Sequence, residues 1–343
     1  MSSIASGQSK PDGKIARLLG WLSERSAVVP AWNAFFARKV PLGVGWLYTL
    51  GFATMFAFIL QAATGLFLAV YYSPSPDHAY DSIQFIMYEV PFGAVVRGIH
   101  HWTASAMVVL VVVHMATVFV LGAYKYPREM TWIVGVGLLL ITLGFAFTGY
   151  LLPWDEKAYW ATVVGTSIPG TLPVFGDLVL RIARGGSELG ALTLTRFYTF
   201  HVMLLPVSLG GLLAVHLYLV VHHGISVPPW LWERTRTRSG ASSDSGASAR
   251  QPVSTKDEYE RRYNEFKEQG RPFWPFIVAE DLIVASIVLV AVLGLVMALG
   301  VPTEAPADPT NTAYVPRPDW YFMFLFEMLK YFPGNLEWIG AGV

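Results

Sequence analysis

Cysteine is absent from all 343 residues. That excludes thiolate zinc sites, iron–sulfur ligation, a cysteine nucleophile and any thioether-attached haem on this chain. Charge is also scarce. Asp, Glu, Lys and Arg make up 14% of the residues, against about a quarter in an ordinary soluble domain. The net charge is zero, so there is no electrostatic case for nucleic acid. Hydrophobic residues reach 54%, which argues against disorder or a coiled coil and suits a lipid bilayer. Eight histidines among so few charges are the first chemical clue.

A membrane-spanning helix needs about 20 mostly apolar residues. Five stretches qualify. Trp46 to Tyr71, Trp102 to Tyr124 and Met130 to Trp154 contain no Asp, Glu, Lys or Arg. Phe197 to Val221 carries only His201 and His216 as titratable imidazoles, and Ile283 to Val301 is entered through Glu280 and Asp281. Backbone polar groups in hydrocarbon must be satisfied within the segment, so these stretches are helices. The expected fold is an all-α membrane protein: a four-helix transmembrane bundle, a fifth transmembrane helix and an outer-face amphipathic segment.

Residues 1–45 are polar and basic, with no short apolar core before a cleavage site, and do not read as a secretory leader. Residues 14–40 read as one interfacial amphipathic helix, with Trp21 and Trp32 at headgroup level. The chain then divides into this N-terminal segment, a four-helix module over 46–223, a linker over 224–274 and a one-helix module over 275–343. Within the linker, SGASSDSGASARQPVST (239–255) has the composition of a flexible tether. The charged KDEYERRYNEFKEQG that follows has helical character. Five spans place the loops on alternate sides, and 17 of the 24 Lys and Arg fall on the side of the N-terminus. The excess of positive charge puts that side in the cytoplasm, most simply of a bacterial cell membrane.

The second span carries His100 and His114, fourteen residues apart, and the fourth carries His201 and His216, fifteen apart. At about 100° per residue these separations fall about 40° short of four turns and about 60° past them. Each pair therefore lies on roughly one helix face, its members about 21 Å apart along the axis. The two spans run in the same direction, so His100 shares a depth with His201, and His114 with His216. Two imidazoles per level in an apolar bundle suit the axial ligation of haem iron. One alternative is lone histidines hydrogen-bonded to neighbouring helices. A proton relay is another, but it gives no reason for two imidazoles at each level, and no Asp or Glu accompanies them within these two helices. His101 is also spaced to serve as the outer ligand.

Glycines repeat the interval. Gly51 and Gly65 in the first span and Gly135 and Gly149 in the third are each fourteen apart, and a flat macrocycle between helices needs close backbone approach. Arg97, Arg128 and Arg196 stand at the membrane faces, where they could pair haem propionates or simply snorkel to the interface.

The segments FTGYLLPWDEKAYWATVV, YPREMTWIVGV, LTRFYTFH and PDWYF, with QAATGLFLAVYYSPSPDHAYDSIQFIMYEVPFGAVVRGIHHWTAS, resemble cytochrome b of the quinol-oxidising cytochrome bc complexes, most closely the b6f type. The resemblance covers nearly all of residues 40–335. It implies two haems b, with His100 and His201 holding the outer one and His114 and His216 the inner one. It implies an outer quinol-oxidation site built from Tyr150, Pro153, Trp154, Gly165 and Pro318 with the catalytic pair Asp319 and Tyr321, and an inner quinone-reduction site with Asp281. It further implies a Rieske iron–sulfur protein and a cytochrome c-type acceptor as partners, a homodimeric complex and coupling to proton translocation.

Three departures from the family stand out. The usual Pro-Glu-Trp-Tyr motif has Asp319 in place of Glu, an arm one methylene shorter. The b6f type carries a haem-attaching Cys near the start of the first span, where this chain has Thr49, so any third haem there would be noncovalent. The family also continues for at least two helices beyond the outer motif, which another polypeptide would supply unless the sequence is truncated. A rival reading is a di-haem, quinone-linked membrane anchor of a peripheral dehydrogenase, which would keep the histidines without needing the Pro-Asp-Trp-Tyr segment. A transporter would need neither.

Overall fold

The computed structural model describes residues 13–233, 256–332 and 334–342. The tether over 239–255 lies outside the described residues. Among the described residues almost all regular structure is helical, and five helices are long and apolar enough to cross a membrane. The described chain forms two compact units, Met1–Val44 with Ile225–Leu282, and Gly45–Gly224 with Ile283–Val343.

In the first unit, α1 (Lys14–Arg25) and α2 (Val28–Phe36) replace the single amphipathic helix expected over 14–40. The break falls at Ser26, whose backbone is extended and whose Oγ donates to the Leu22 carbonyl at 2.8 Å. A serine that caps a preceding helix competes with continuation of that helix. Two short strands, β1 (Lys39–Val40) and β2 (Arg271–Pro272), pair antiparallel.

The second unit holds the bundle. A 3₁₀ turn (Trp46–Thr49) leads into α3 (Leu50–Tyr71). It is followed by α4 (Ala79–Tyr88), α5 (Gly93–Val120), α6 (Glu129–Tyr150), α7 (Glu156–Gly170), α8 (Gly176–Arg184) and α9 (Ala191–Thr199). A π-helical turn (Phe200–Leu204) joins α9 to α10 (Leu205–His223) without interruption. The charged stretch of the linker is indeed helical, α11 (Lys256–Glu268) in the first unit, and α12 (Val278–Leu299) is the fifth long apolar helix. Short α13 (Met323–Leu329) and α14 (Glu337–Gly342) end the described chain.

Helix α3 packs along α5, and α6 along α10. Ala53 and Ala57, both fully buried on α3, are the small residues that allow such close approach in lipid. At mid-height Ala57, Met107 and Leu209 form a buried cluster, sealed by Phe58, Leu110, Leu138, Ile141, Phe145 and Leu213. Buried Thr142 stands beside this layer with its hydroxyl donated to the Leu138 carbonyl at 2.8 Å, and no ionisable residue lies between the histidine levels on α5 or α10. The layer lies midway between His100 and His114 on α5, and midway between His201 and His216 on α10. On the opposite faces of these helices Leu66, Val70, Val112, Leu140 and Val207 are exposed, as expected where acyl chains replace protein.

Candidate functional site: two imidazole pairs and an outer acid

The outer pair is built as the helix arithmetic demands. The His100 and His201 rings oppose each other with centroids 6.3 Å apart and planes at 73°. Metal–imidazole bonds are about 2 Å long and an imidazole radius is roughly 1 Å, so two rings sharing one metal stand roughly 6 Å apart. Of the two adjacent histidines, His100 is the one that meets His201. His101 instead stacks edge-on against Trp102 and lies within electrostatic reach of Asp319 and Lys157. His216 is within electrostatic reach of His114 at the inner level. Among the described residues no three His, Cys, Asp or Glu gather as a bare-ion site, whereas porphyrin-held iron asks the protein for only one or two axial ligands.

Each of the four spaced glycines meets one of these rings. A Cβ on Gly65 would stand 3.1 Å from His100 Cε1, and one on Gly51 would stand 3.2 Å from His114 Cε1. On the other helix pair the distances are 2.7 Å from Gly149 to His201 Cε1 and 3.5 Å from Gly135 to His216 Cε1. The missing side chains therefore make room first for the imidazoles. The fourteen-residue glycine interval by itself suggested room for a macrocycle only.

Two threonines that the sequence reading passed over set the chemistry of the outer pair. Thr64 Oγ1 lies 2.9 Å from His100 Nδ1, and Thr148 Oγ1 lies 3.0 Å from His201 Nδ1. Each hydroxyl already donates to the carbonyl four residues back, Leu60 at 2.7 Å and Gly144 at 2.8 Å. With its proton so engaged, the oxygen accepts from Nδ1–H. That fixes the neutral tautomer and leaves the Nε2 lone pair for a metal. A signal was present in the sequence: Thr precedes both outer glycines, while Leu50 and Val134 precede the inner ones.

The π turn explains the unequal histidine spacing. Leu205 N–H bonds the Phe200 carbonyl, five residues back. The wider turn absorbs the residue by which the fourth span exceeds the second, and His201 keeps its aim at His100. π turns inside α-helices concentrate at functional positions.

The three arginines are not equivalent. Arg97 is buried, and its Nη1 meets only Met87 Sδ at 3.3 Å and the Val301 carbonyl at 3.5 Å. None of the ion pairs among the described residues includes it. Asp155 lies within electrostatic reach but not in contact, so the buried guanidinium has room for an anion at its tip. Arg128 donates to the carbonyls of Gly224 (2.9 Å) and His223 (3.2 Å), closing the end of α10. Arg196 does the same for α8 through the carbonyls of Arg181 and Ile182. Those two guanidinia are engaged with helix ends.

The outer acid stands on a pinned loop. Asp155 caps α7, accepting from Ala158 N–H at 2.9 Å and from Glu304 N–H at 3.2 Å. Burial raises its carboxyl pKa and these two bonds oppose the rise. Buried Glu156 accepts from Trp160 Nε1 at 3.0 Å and Asn311 Nδ2 at 2.9 Å, and its N–H bonds the Ala305 carbonyl at 2.9 Å. Trp154 is buried with φ 53°, in the left-handed region, so the chain reverses sharply after Pro153. The segment carrying Pro318 and Asp319 is thereby held against the end of α6.

At the tip, Tyr321 hydroxyl donates to Asp319 Oδ2 at 2.8 Å, and Lys157 Nζ pairs with Oδ1. Burial first, then the Asp319 carboxylate, push the Tyr321 phenol far above its ordinary range, so it remains a donor. Tyr321 is buried against Val108 and Ala146. Phe147, Tyr150 and Phe322 line an aromatic wall with centroids 5.9–6.3 Å apart. A Cβ on Gly165 would fall 2.4 Å from Phe147 Cζ, so that glycine lets α7 close onto the wall. Asp281 belongs to the other compact unit, buried in the first turn of α12. Its neighbour Glu280 pairs with Arg271 at 2.8 Å.

A bundle of apolar spans with an opposed imidazole pair, a second histidine pair one level away and a carboxylate at one end points to a class: an integral electron-transfer cytochrome. The family described as Cytochrome b/b6/petB matches residues 35–224. Cytochrome b6 of Synechococcus elongatus is 40% identical over 212 residues, 62% of this chain and 99% of the relative. Cytochrome b6 of Heliobacterium mobile is 47% identical over 181 residues, covering 53% of this chain and 85% of the relative. The menaquinol:cytochrome c reductase cytochrome b subunit of Geobacillus thermodenitrificans is 41% identical over 220 residues, 62% and 98% of the two chains. Among solved structures, a hyperthermophilic respiratory Complex III superposes with TM-score 0.75 at 29% identity, covering 94% of this chain and 78% of that one. The chain belongs to the cytochrome b/b6 family, whose members are multi-pass membrane proteins.

Proposed function

We propose that this chain is the di-haem, quinol-oxidising membrane subunit of a cytochrome bc-type complex. His100 and His201 hold the outer haem b, and His114 and His216 hold the inner one. The observation that carries the reading is the 6.3 Å imidazole pair seated on glycine at both sides. The names of the Geobacillus and Complex III relatives support the respiratory assignment. When bound, the two haems supply one-electron carriage between the membrane faces.

The chain's own residues supply the rest. Thr64 and Thr148 hold the outer imidazoles in their ligating tautomer, and the apolar layer around Met107 and Leu209 excludes water between the levels. Arg97 is the residue best placed to pair a haem propionate; Arg128 and Arg196 could add to it only with their remaining N–H groups. At the outer face a quinol enters between Tyr150, Pro153, Trp154, Gly165 and Pro318. Asp319 takes a hydroxyl proton from it within hydrogen-bond reach, while Tyr321 orients the carboxylate. At the opposite face Asp281 delivers protons to a quinone, and the two half-reactions together translocate protons. A Rieske iron–sulfur protein and a cytochrome c-type subunit are the partners that accept electrons, and two copies assemble as a homodimer. The charge asymmetry supports a cytoplasmic N-terminus in a bacterial membrane.

The complex purified from membranes should contain two haems b per chain by pyridine haemochrome, with two steps in a redox titration. Replacing His201 by a non-ligating residue should erase one spectral component and spare the other. A correctly assembled complex without porphyrin overturns the proposal.

A further inference from the structure

We infer that Lys157 is a positioning residue of the outer quinol site, clamping the short carboxylate of Asp319 while it takes the proton. This deepens the reading of Asp319 given above and rests on it.

Two departures from expectation meet at one point. Asp319 has an arm one methylene shorter than the family's usual Glu, and a cation arrives from 162 residues away to bond it. Lys157 Nζ takes Oδ1 while the Tyr321 hydroxyl takes Oδ2, so the carboxylate is held from two sides and its plane is fixed. The lysine stands in the first turn of α7, directly after capping Asp155 and buried Glu156, and is therefore delivered from a fixed mount. Its ammonium lies 5.8 Å from the centre of the Tyr150 ring. The titratable groups facing Asp319 are Lys157, Tyr321, Tyr150 and His101.

The two partners differ in mobility. Tyr321 is buried to 8% exposure and packed between two spans. The Lys157 side chain keeps 30% exposure and that of Asp319 18%, so the ammonium can swing to water on its four-carbon stem. An approaching quinol hydroxyl donates to a remaining lone pair of Oδ1 while Lys157 holds the carboxylate. The quinol O–H bond then breaks, its electron pair stays on the quinol oxygen, and the proton bonds to the carboxylate. The acid is now neutral and no longer holds the ammonium, which stays at the outer face until the proton leaves.

The test is steady-state oxidation of a short-chain quinol by the intact complex, with the reduced haem spectrum as a check on assembly. Lys157→Met should lower kcat about ten-fold with KM changed less than about two-fold, and Lys157→Arg should restore most of the rate. In the Lys157→Met background, Asp319→Glu should recover turnover, because the longer arm reaches substrate without the clamp. If Lys157→Met does not assemble, Lys157→Gln takes its place in both comparisons. Wild-type turnover in Lys157→Met, or the same loss whether residue 319 is Asp or Glu, overturns the inference. Asp319→Asn separates the two levels of argument. If it is inactive while Lys157→Met is unimpaired, only the clamp is wrong; if it is fully active, the outer acid itself is wrong.

Discussion

At the scale of single residues, the four glycines define a graded series of clearances. The gap that an added methyl would have is 2.7 Å at Gly149, 3.1 Å at Gly65, 3.2 Å at Gly51 and 3.5 Å at Gly135. Alanine should therefore be tolerated at 135 and expel the ring at 149. Gly149→Ala is expected to lose the outer haem component from the reduced spectrum, and Gly135→Ala to keep both components. Equal spectra from the two variants would contradict the steric assignment. Thr148→Val keeps the shape of the side chain but leaves His201 Nδ1–H without its hydroxyl acceptor. Removing the hydrogen-bond partner of a ligating imidazole costs about ten- to a hundred-fold in metal affinity. Outer-haem retention during dilution should fall accordingly, with the inner haem unaffected. The histidines and glycines were legible because a period of fourteen or fifteen survives in one dimension. The Lys157–Asp319 contact was not, because nothing local records a partner 162 residues distant.

At the scale of elements, the π turn over Phe200–Leu204 is what reconciles a fifteen-residue interval with a fourteen-residue one. Met203 faces outward at 65% exposure, so the turn can be edited without touching the core. Deleting Met203 should close it to α geometry and preserve both haem components. Inserting an alanine after it adds about 100° of rotation and should remove the outer component, as read in the difference spectrum. The second span begins at Gly93, nine residues before the apolar run. Arg97, His100 and His101 are polar enough to hide the start of a helix whose polar residues turn into the protein. The amphipathic helix over 14–40 divided at Ser26 because one hydroxyl bond outweighed an otherwise continuous apolar stripe. Helices α4, α7 and α8 are too short for a span, so apolar length does not reveal them.

At the scale of the whole molecule, the outer acid is anchored by a buried carboxylate. Glu156→Ala would strip Trp160 Nε1 and Asn311 Nδ2 of their acceptor, at a cost of about 1–3 kcal/mol. The segment over 304–318 should then open to limited proteolysis while the haem spectrum stays intact, and protection equal to wild type would show that the anchor lies elsewhere. The five-helix architecture was legible from apolar length, because in lipid the backbone has few other options. The apolar layer of Ala57, Met107 and Leu209 sits between two levels about 21 Å apart in a hydrocarbon slab about 30 Å thick. A dielectric with no ionisable side chain in it sustains most of the membrane voltage. A unit charge moved from the upper imidazoles to the lower crosses about 0.7 of that drop, about 1.6 kcal/mol per 100 mV. On the proposed function, turnover should therefore slow as the voltage across the membrane rises.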